Sequence, residues 1–110
     1  MSQQPYAIKG VVSDDDFLSP SIGGYYERHY VRVTFFSDEY QTPVTPTAGT
    51  CTITATDDGF NFGSVSSGTI NVTNPAYTRP NASGRIQKIK ATLSGVTGAT
   101  HFAVIVDSYN

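Results

Sequence analysis

Hydrophobic and polar residues alternate with a period of two along several short segments of the chain. The clearest is Arg28–Phe36, in which His29, Val31, Val33 and Phe35 fall on one face while mostly polar residues occupy the other. Successive side chains of a β-strand point to opposite faces of its sheet. The pattern therefore predicts a strand with one face in a core and one face toward water or a partner.

The same alternation predicts further strands at residues 6–12, 50–56, 66–73 and 101–107. In 66–73, Ile70 and Val72 are the inward positions. The segment 101–107 is apolar on both faces, because Ala103 and Ile105 alternate with equally apolar neighbours. A strand that is apolar on both faces is typical of the centre of a sheet.

The segment 50–56 alternates without a break. Cys51, Ile53 and Ala55 are predicted to point inward, and the four threonines Thr50, Thr52, Thr54 and Thr56 are predicted to point outward. This places the thiol of Cys51 in the core, where it acts as a small apolar side chain.

The segment from Ile86 to Leu93 is ambiguous, because its apolar residues match both helical and strand spacing. A strand with a bulge near Gln87 is favoured, since neither an N-cap nor an acidic first turn precedes it. Residues 94–98 then predict a hairpin turn into the last strand.

These strands predict an all-β fold, a single antiparallel β-sandwich of jelly-roll-like form. Thr, Val, Ile, Tyr and Phe are abundant, as expected for strands. A length of 110 residues fits one domain. We expect residues 1–5 to form an extended N-terminal arm and residues 6–110 the domain, with long contact loops at 13–27 and 37–49.

Charge and cysteine content narrow the function. The net charge is -2, and the seven Lys and Arg residues are scattered, so no nucleic-acid partner is expected. No apolar run is long enough for a membrane span, and Met1–Pro5 lacks signal-peptide features, so neither a membrane partner nor a leader is expected. The single Cys can form neither an internal disulfide nor a zinc site of its own.

Candidate catalytic and metal-binding residues are weak. The carboxylates of Asp14, Asp15 and Asp16 could begin a calcium loop, but the glycine and closing glutamate of such loops do not follow, and a solvated acidic turn fits better. Asp57-Asp58-Gly59 first predicts a turn. His29 and His101 stand in no recognised nucleophile or zinc spacing. We therefore predict no enzymatic activity, no cofactor and no metal.

Tyrosines on the loops are the strongest functional feature. Five tyrosines lie on the loops at 13–27 and 37–49, on a third irregular stretch at 74–84 and at the C-terminus: Tyr25, Tyr26, Tyr40, Tyr77 and Tyr109. Tyrosine offers a large rigid surface that tolerates water, which suits an interface with protein or sugar. The alternative is that about half of them cap the ends of the sandwich.

The C-terminal third carries a family resemblance. The segments NPAYTRP at 74–80 and KIKATLSGVTGATHF at 88–102 resemble the small β proteins of tailed bacteriophages, which serve as capsid decoration or stapling proteins or as small tail and fibre modules. The resemblance implies a β-sandwich that binds an assembled shell and pairs with itself about a symmetry axis. It carries over no catalytic or ligand residue.

The leading hypothesis is a non-enzymatic phage structural protein that decorates or staples the capsid. It would be made in the bacterial host cytoplasm and located on the capsid surface of the virion, bound to the major capsid protein and to itself as a symmetric homo-oligomer. The alternatives are a receptor- or carbohydrate-binding module of a tail fibre, with Tyr25, Tyr26 and Tyr77 stacking on sugars, and a tail adaptor. A remote alternative is a small hydrolase or metal-binding domain built on His29, His101 and the Asp clusters.

Overall fold

The structure of the chain, a computed structural model, describes residues 3–12, 16–18 and 27–109. These residues form nine strands and no helix, so the predicted all-β class is confirmed. The strands are β1 (Gln3–Val11), β2 (Asp16–Leu18), β3 (Arg28–Phe36), β4 (Pro43–Val44), β5 (Ala48–Thr56), β6 (Gly63–Asn71), β7 (Asn81–Ser83), β8 (Lys88–Thr97) and β9 (His101–Tyr109).

The strands pair antiparallel in one continuous sheet, in the order β1-β9-β3-β7-β6-β5-β8-β2, with β4 paired to β3 beside this path. Among the described strands, the two halves of the sheet are joined where Ser66 of β6 pairs with Asn81 of β7. The sheet curls, and β1 and β2 at its two ends come into contact. The two walls expected of a sandwich are thus the two halves of one curled sheet.

The core fills the inside of the curl. Most inward positions predicted on β3, β5 and the segment of β6 are buried, Val33 and Ala55 are partly buried against them, and β9 contributes its own inward residues. Each large apolar side chain buried in this way contributes roughly 1.5–3 kcal/mol, so this cluster dominates stability. Its members are Val31, Phe35, Cys51, Ile53, Ile70, Val72, Ile86, Ile89, Ala91, Leu93, Phe102, Val104 and Val106.

Strand β9 is central in its half of the sheet, as its two apolar faces predict. It pairs along its whole length with β1 on one side and with β3 on the other. Ala103 on its outer face and Val104 on its inner face are both buried.

The predicted hairpin between β8 and β9 is wrong. Strand β8 pairs with β5 and β2, whereas β9 pairs with β1 and β3. The chain crosses between the two halves after Thr97, at Gly98, whose φ is +88°. A Cβ at Gly98 would lie 3.0 Å from the backbone nitrogen of Thr47, so glycine both permits the turn and leaves room for the neighbouring chain.

The bulge expected near Gln87 lies at the other end of β8. The register between β5 and β8 shifts around Gly95, which has a φ of +63°. Gln87 precedes the strand and donates its backbone N–H to the carbonyl of Thr56 at 2.8 Å. Glycine is the residue that such a left-handed bulge position favours.

Two further expectations need correction. Strand β1 begins at Gln3, so Gln3, Gln4 and Pro5 of the expected arm pair with β9. The edge of β9 offers backbone groups that need partners, and an edge strand tolerates proline. Thr56, expected to point outward, is buried, because it ends β5 and its hydroxyl serves the following turn.

Candidate interaction site

Of the five predicted interface tyrosines, the structure describes the side chains of Tyr40 and Tyr77. Tyr25 and Tyr26 lie outside the described residues, as do Asp14 and Asp15 of the acidic run. Tyr109 ends β9, where its backbone pairs with that of Gln3 and of Arg28. Tyr40 and Tyr77 both lie near the end of β3 that carries Phe36, but they have different environments.

The Tyr77 hydroxyl is bonded to the backbone of β3. It accepts the N–H of Val33 at 2.8 Å and lies 3.4 Å from the Val33 carbonyl. Strand β7 covers β3 only as far as Tyr30, and β4 begins at Phe35, so Tyr77 fills the gap that a strand would otherwise fill. This contact makes Tyr77 part of the scaffold, and its role in an interface stays a prediction.

The Tyr40 turn, residues 37–42, is organised by Asp38. The Asp38 carboxylate accepts the N–H groups of Gln41 and Thr42 at 2.9 Å and the Thr42 hydroxyl at 2.8 Å. The Thr42 N–H bond is the largest reason that the pKa of Asp38 lies below its ordinary value. Within this turn Tyr40 adopts a left-handed conformation with a φ of 66°.

The Tyr40 ring folds back onto the outer face of β3 and β9. It makes edge contacts with Phe36 and His101, with ring centroids 5.7 and 5.2 Å apart, and the Lys9 ammonium lies 5.2 Å from its centre. The three rings remain partly exposed, and Val11 beside them is 42% exposed. We call Lys9, Val11, Phe36, Tyr40 and His101 the Tyr40 patch.

The Phe60 turn, residues 57–62, connects β5 to β6 and is organised by Asp58. The carboxylate accepts the N–H groups of Phe60 at 2.7 Å and Asn61 at 2.8 Å, the Asn61 side-chain amide, and the Thr56 hydroxyl. These bonds, led by the Asn61 N–H, hold the pKa of Asp58 well below its ordinary value. The prediction that Asp57-Asp58-Gly59 forms a turn is confirmed.

Phe60 is 85% exposed, more than any other large hydrophobic residue in the described part of the chain. The backbone of the turn that carries this apolar ring is held by several hydrogen bonds. Phe60 is not among the interface residues predicted from the sequence, which are all tyrosines. The signal was available: in both turns an aromatic residue follows the capping aspartate by two positions, Asp38 before Tyr40 and Asp58 before Phe60.

An apolar cavity of about 150 Å³ opens between β3, β4 and the end of β6. Its floor is buried and apolar, and its rim is exposed. The floor residues are Phe35, Ile70 and Val72, and the rim residues are Thr45, Asn74 and Pro75.

A larger polar cleft of about 570 Å³ lies at the opposite end, where the two halves of the sheet separate. Its walls carry Ser64, Ser66, Asn81 and Arg85 from β6, β7 and the segment after β7. The described lining includes no aromatic ring. The cleft therefore lacks the stacking platform expected of a sugar site.

The family model described as Domain of unknown function (DUF7265) matches residues 15–110. The chain belongs to this family. No curated protein matches the chain significantly.

Two solved structures share the fold of this DUF7265 chain. The SPBc2 prophage-derived protein YomS has a TM-score of 0.54 and 11% identity, and the match covers 98% of both chains. A chain from the Bacillus endospore appendages, which form disulfide-linked pili, has a TM-score of 0.53 and 11% identity, with 98% of this chain and 87% of that chain covered. These likenesses show the fold.

Cys51 of this DUF7265 chain lies in the core, with no exposed surface, as the alternation predicts. Burial raises the pKa of its thiol to about 12, because the thiolate is disfavoured away from water. A thiol in this environment reaches no neighbouring subunit. The disulfide linkage of the endospore appendages therefore has no counterpart at Cys51.

His29 and Ser108 form a contact that the sequence separates by 79 residues. The His29 Nε2 lies 3.1 Å from the Gly84 carbonyl, which can only accept, and its Nδ1 lies 2.7 Å from the Ser108 hydroxyl. Nε2 therefore donates to this carbonyl, and the Ser108 hydroxyl is able to donate to or accept from Nδ1. Both side chains have no exposed surface, so no substrate reaches them and the pair joins β3 to β9 as a structural contact.

His101 lies far from His29. His101 pairs with Phe36 and Ser108 pairs with His29 on the same two strands, seven positions apart, or roughly 23 Å at the usual rise of a strand. The hydrolase or metal site that would use both histidines is therefore not assembled. The described residues bring together no group of three His, Cys, Asp or Glu side chains that could hold a metal ion, and they contain no helix that could span a membrane.

Proposed function

We propose that this DUF7265 chain is a non-enzymatic structural subunit of a bacteriophage or prophage particle, and that it contacts the particle through the Tyr40 patch. The observation that carries the proposal is the Tyr40 turn, in which a rigid aromatic ring remains partly exposed beside a cation and a second apolar side chain. Rigid tyrosines surrounded by such groups are typical of protein interfaces.

The backbone conformation of Tyr40 supports a functional role for the Tyr40 turn. A left-handed conformation costs a residue other than glycine about 1–2 kcal/mol. Strained backbone of this kind concentrates at functional sites, where surrounding contacts hold it. Here the hydrogen bonds of Asp38 and the ring contacts with Phe36 and His101 hold Tyr40 in place.

Capsid decoration is the finer form of the proposal. The chain would sit on the outer capsid surface after synthesis in the bacterial host cytoplasm, with the major capsid protein as its partner. Many copies, each with a modest interface, would stabilise the shell through avidity. The fold shared with a prophage-derived protein supports a particle of phage origin.

A filament subunit is the second candidate. It is favoured by the exposed Phe60 at one end of the molecule and by the fold shared with the Bacillus endospore appendages. In this case the partner is another copy of the chain. The symmetric pairing of two copies of the chain, expected from the sequence, stays a prediction.

Binding to purified shells tests the proposal. Empty capsids from the phage or prophage that encodes the chain should bind the purified protein and melt at a higher temperature. Tyr40→Ala should weaken binding at least about 10-fold, as expected for an interface anchor. Tyr30→Ala is the matched control, because Tyr30 is partly exposed on the outer face of the same strand but at its other end.

The number of copies per particle separates the alternatives. Hundreds of copies in purified virions imply a capsid coat, and a handful imply the tail. Binding of Tyr40→Ala at wild-type affinity would contradict the use of the Tyr40 patch. If the protein neither binds shells nor occurs in virions, the structural proposal is wrong, and a response on a glycan array would favour the sugar-binding alternative.

A further inference from the structure

Phe60 projects from one end of the molecule, and the apolar cavity opens at the other end. We propose that copies of the chain associate head to tail, with the Phe60 ring of one copy inserted into the apolar cavity of the next. This inference deepens the proposed structural role and rests on it, because it names the second copy as a partner and the two surfaces that meet.

The backbone that carries Phe60 is held by hydrogen bonds. Asp58 accepts the backbone N–H of Phe60 itself and that of Asn61, and Thr56 ties the start of the turn to the same carboxylate. A turn that is ordered before binding loses little conformational entropy on association. The 85% exposure of the ring is apolar surface that association would remove from water.

The cavity has the size and chemistry for a phenyl ring. Its volume is about 150 Å³, and an apolar protein cavity of about this volume is known to accept benzene. Phe35, Ile70 and Val72 give it an apolar floor. Thr45 and Asn74 leave its rim open to the surface.

A molecule cannot fill its own cavity. The Phe60 turn precedes Gly63 at the start of β6, whereas the cavity lies at the other end of this nine-residue strand, beside Ile70. Along β5 these positions pair with Ala55 and Cys51, which are only four residues apart because β6 is bulged, or roughly 13 Å at the usual rise of a strand. In a head-to-tail pair, one copy still has a free Phe60 ring and the other still has an open cavity. Further copies can therefore add at both ends, which produces rows or rings.

Acidic side chains lie beside Phe60, where Lys90 also lies 5.0 Å from the centre of the Phe62 ring, and a basic side chain lies near the cavity. Asp57 and Asp58 are exposed beside Phe60, and Arg79 is exposed two residues after Tyr77, which lines the cavity. Opposite charges around an apolar anchor orient the partners and speed their encounter.

The contact is too small to hold a free dimer firmly. An aromatic side chain buries about 150–250 Å², whereas stable interfaces bury roughly 1,200–2,000 Å². Association should therefore require a high protein concentration in solution. On a particle surface that already aligns many copies, the same contact gains from effective concentration.

Mixing two variants tests the head-to-tail contact by sedimentation velocity. Phe60→Ala removes the ring, and Thr45→Trp blocks the rim of the cavity. Each variant alone should associate at least about 30-fold more weakly than wild type, the usual effect of losing an interface anchor. A mixture of the two should form dimers and stop there, because only one ring and one open cavity can meet. Tyr30→Ala and Ser94→Trp, at positions outside the Phe60 turn and the cavity lining, are the controls and should behave like wild type.

A photo-crosslinking residue in place of Phe60 keeps the cavity intact and should attach to the neighbour at residues 44–46 or 70–77. Attachment elsewhere would overturn the proposal, as would a monomeric wild type at every concentration, association of Phe60→Ala at the wild-type level, or a mixture without dimers. Tyr40→Ala should still associate. Shell binding by Tyr40→Ala at the wild-type affinity, with intact self-association, would contradict only the Tyr40 proposal.

Discussion

The Tyr40 turn and the Phe60 turn are built on the same plan at opposite ends of the molecule. In each, an aspartate follows a long strand and accepts the N–H groups of the residues after it. An aromatic residue stands two positions after that aspartate. Yet the Tyr40 ring lies on the sheet, while the Phe60 ring projects into water.

Backbone handedness and the surface underneath account for this difference. Tyr40 has a φ of 66°, whereas Phe60 is not among the described residues with positive φ. The left-handed turn directs the ring of Tyr40 back over Phe36 and His101, which offer it an aromatic surface. The comparison shows that one type of aspartate-capped turn can present a ring either as part of a patch or as a separate projection.

The largest expected difference between the Tyr40 and Phe60 rings is in how much each contributes to the stability of the fold. Tyr40→Ala loses two aromatic contacts and a cation contact, and we expect a cost of about 1–2 kcal/mol. Phe60→Ala loses a ring that contacts mainly water and should change stability by less than about 0.5 kcal/mol. Urea denaturation of both variants measures the difference, and equal losses would show that the two rings are held alike.

Glycine should have opposite effects at the two positions. Tyr40→Gly should be more stable than Tyr40→Ala by about 1 kcal/mol, because glycine adopts the left-handed conformation without strain. Phe60→Gly should be less stable than Phe60→Ala by about 0.5 kcal/mol, since glycine loses more backbone freedom on folding. Thermal melting of the four variants tests this, and the same order at both positions would contradict the difference in handedness.

Acid should weaken both turns, and this effect should be the smallest because both carboxylates are exposed to solvent. The pKa values of Asp38 and Asp58 are lower in the folded chain than the ordinary value of 3.8. Their stabilisation is therefore complete above about pH 4 and is lost as the pH falls through the folded pKa values.

Denaturation of the wild type against Asp38→Asn and Asp58→Asn between pH 7 and pH 2 measures this loss. The difference in free energy of unfolding between wild type and each variant should become smaller in acid. The gap should persist to lower pH for Asp58, whose pKa is lowered further. A gap that stays constant with pH would show that neither carboxylate acts through its charge.

Much of the sheet follows from local sequence. Residues 28–36 alternate cleanly, so their strand bounds and their inward residues, including His29, could be predicted. Because both faces of β9 are apolar, its central position between β1 and β3 could also be predicted. In both cases side-chain periodicity within one segment determines the result.

The errors arise where the result depends on distant residues. The turn at Gly98 looks like a hairpin locally, but the partners of β8 and β9 are set by how the two halves of the sheet pack together. The pair of His29 and Ser108 joins residues 79 positions apart. The apolar cavity likewise needs β3, β4 and β6 in place, so no single segment predicts it.

The most direct test of the structural role is a count of bound copies per shell as a function of free protein concentration, for wild type, Tyr40→Ala and Phe60→Ala. The wild type should bind cooperatively. Phe60→Ala should bind its first copies with the wild-type affinity but without cooperativity, and Tyr40→Ala should bind weakly throughout. Equal binding curves for all three proteins would contradict the assignment of one aromatic turn to the particle and the other to the neighbouring copy.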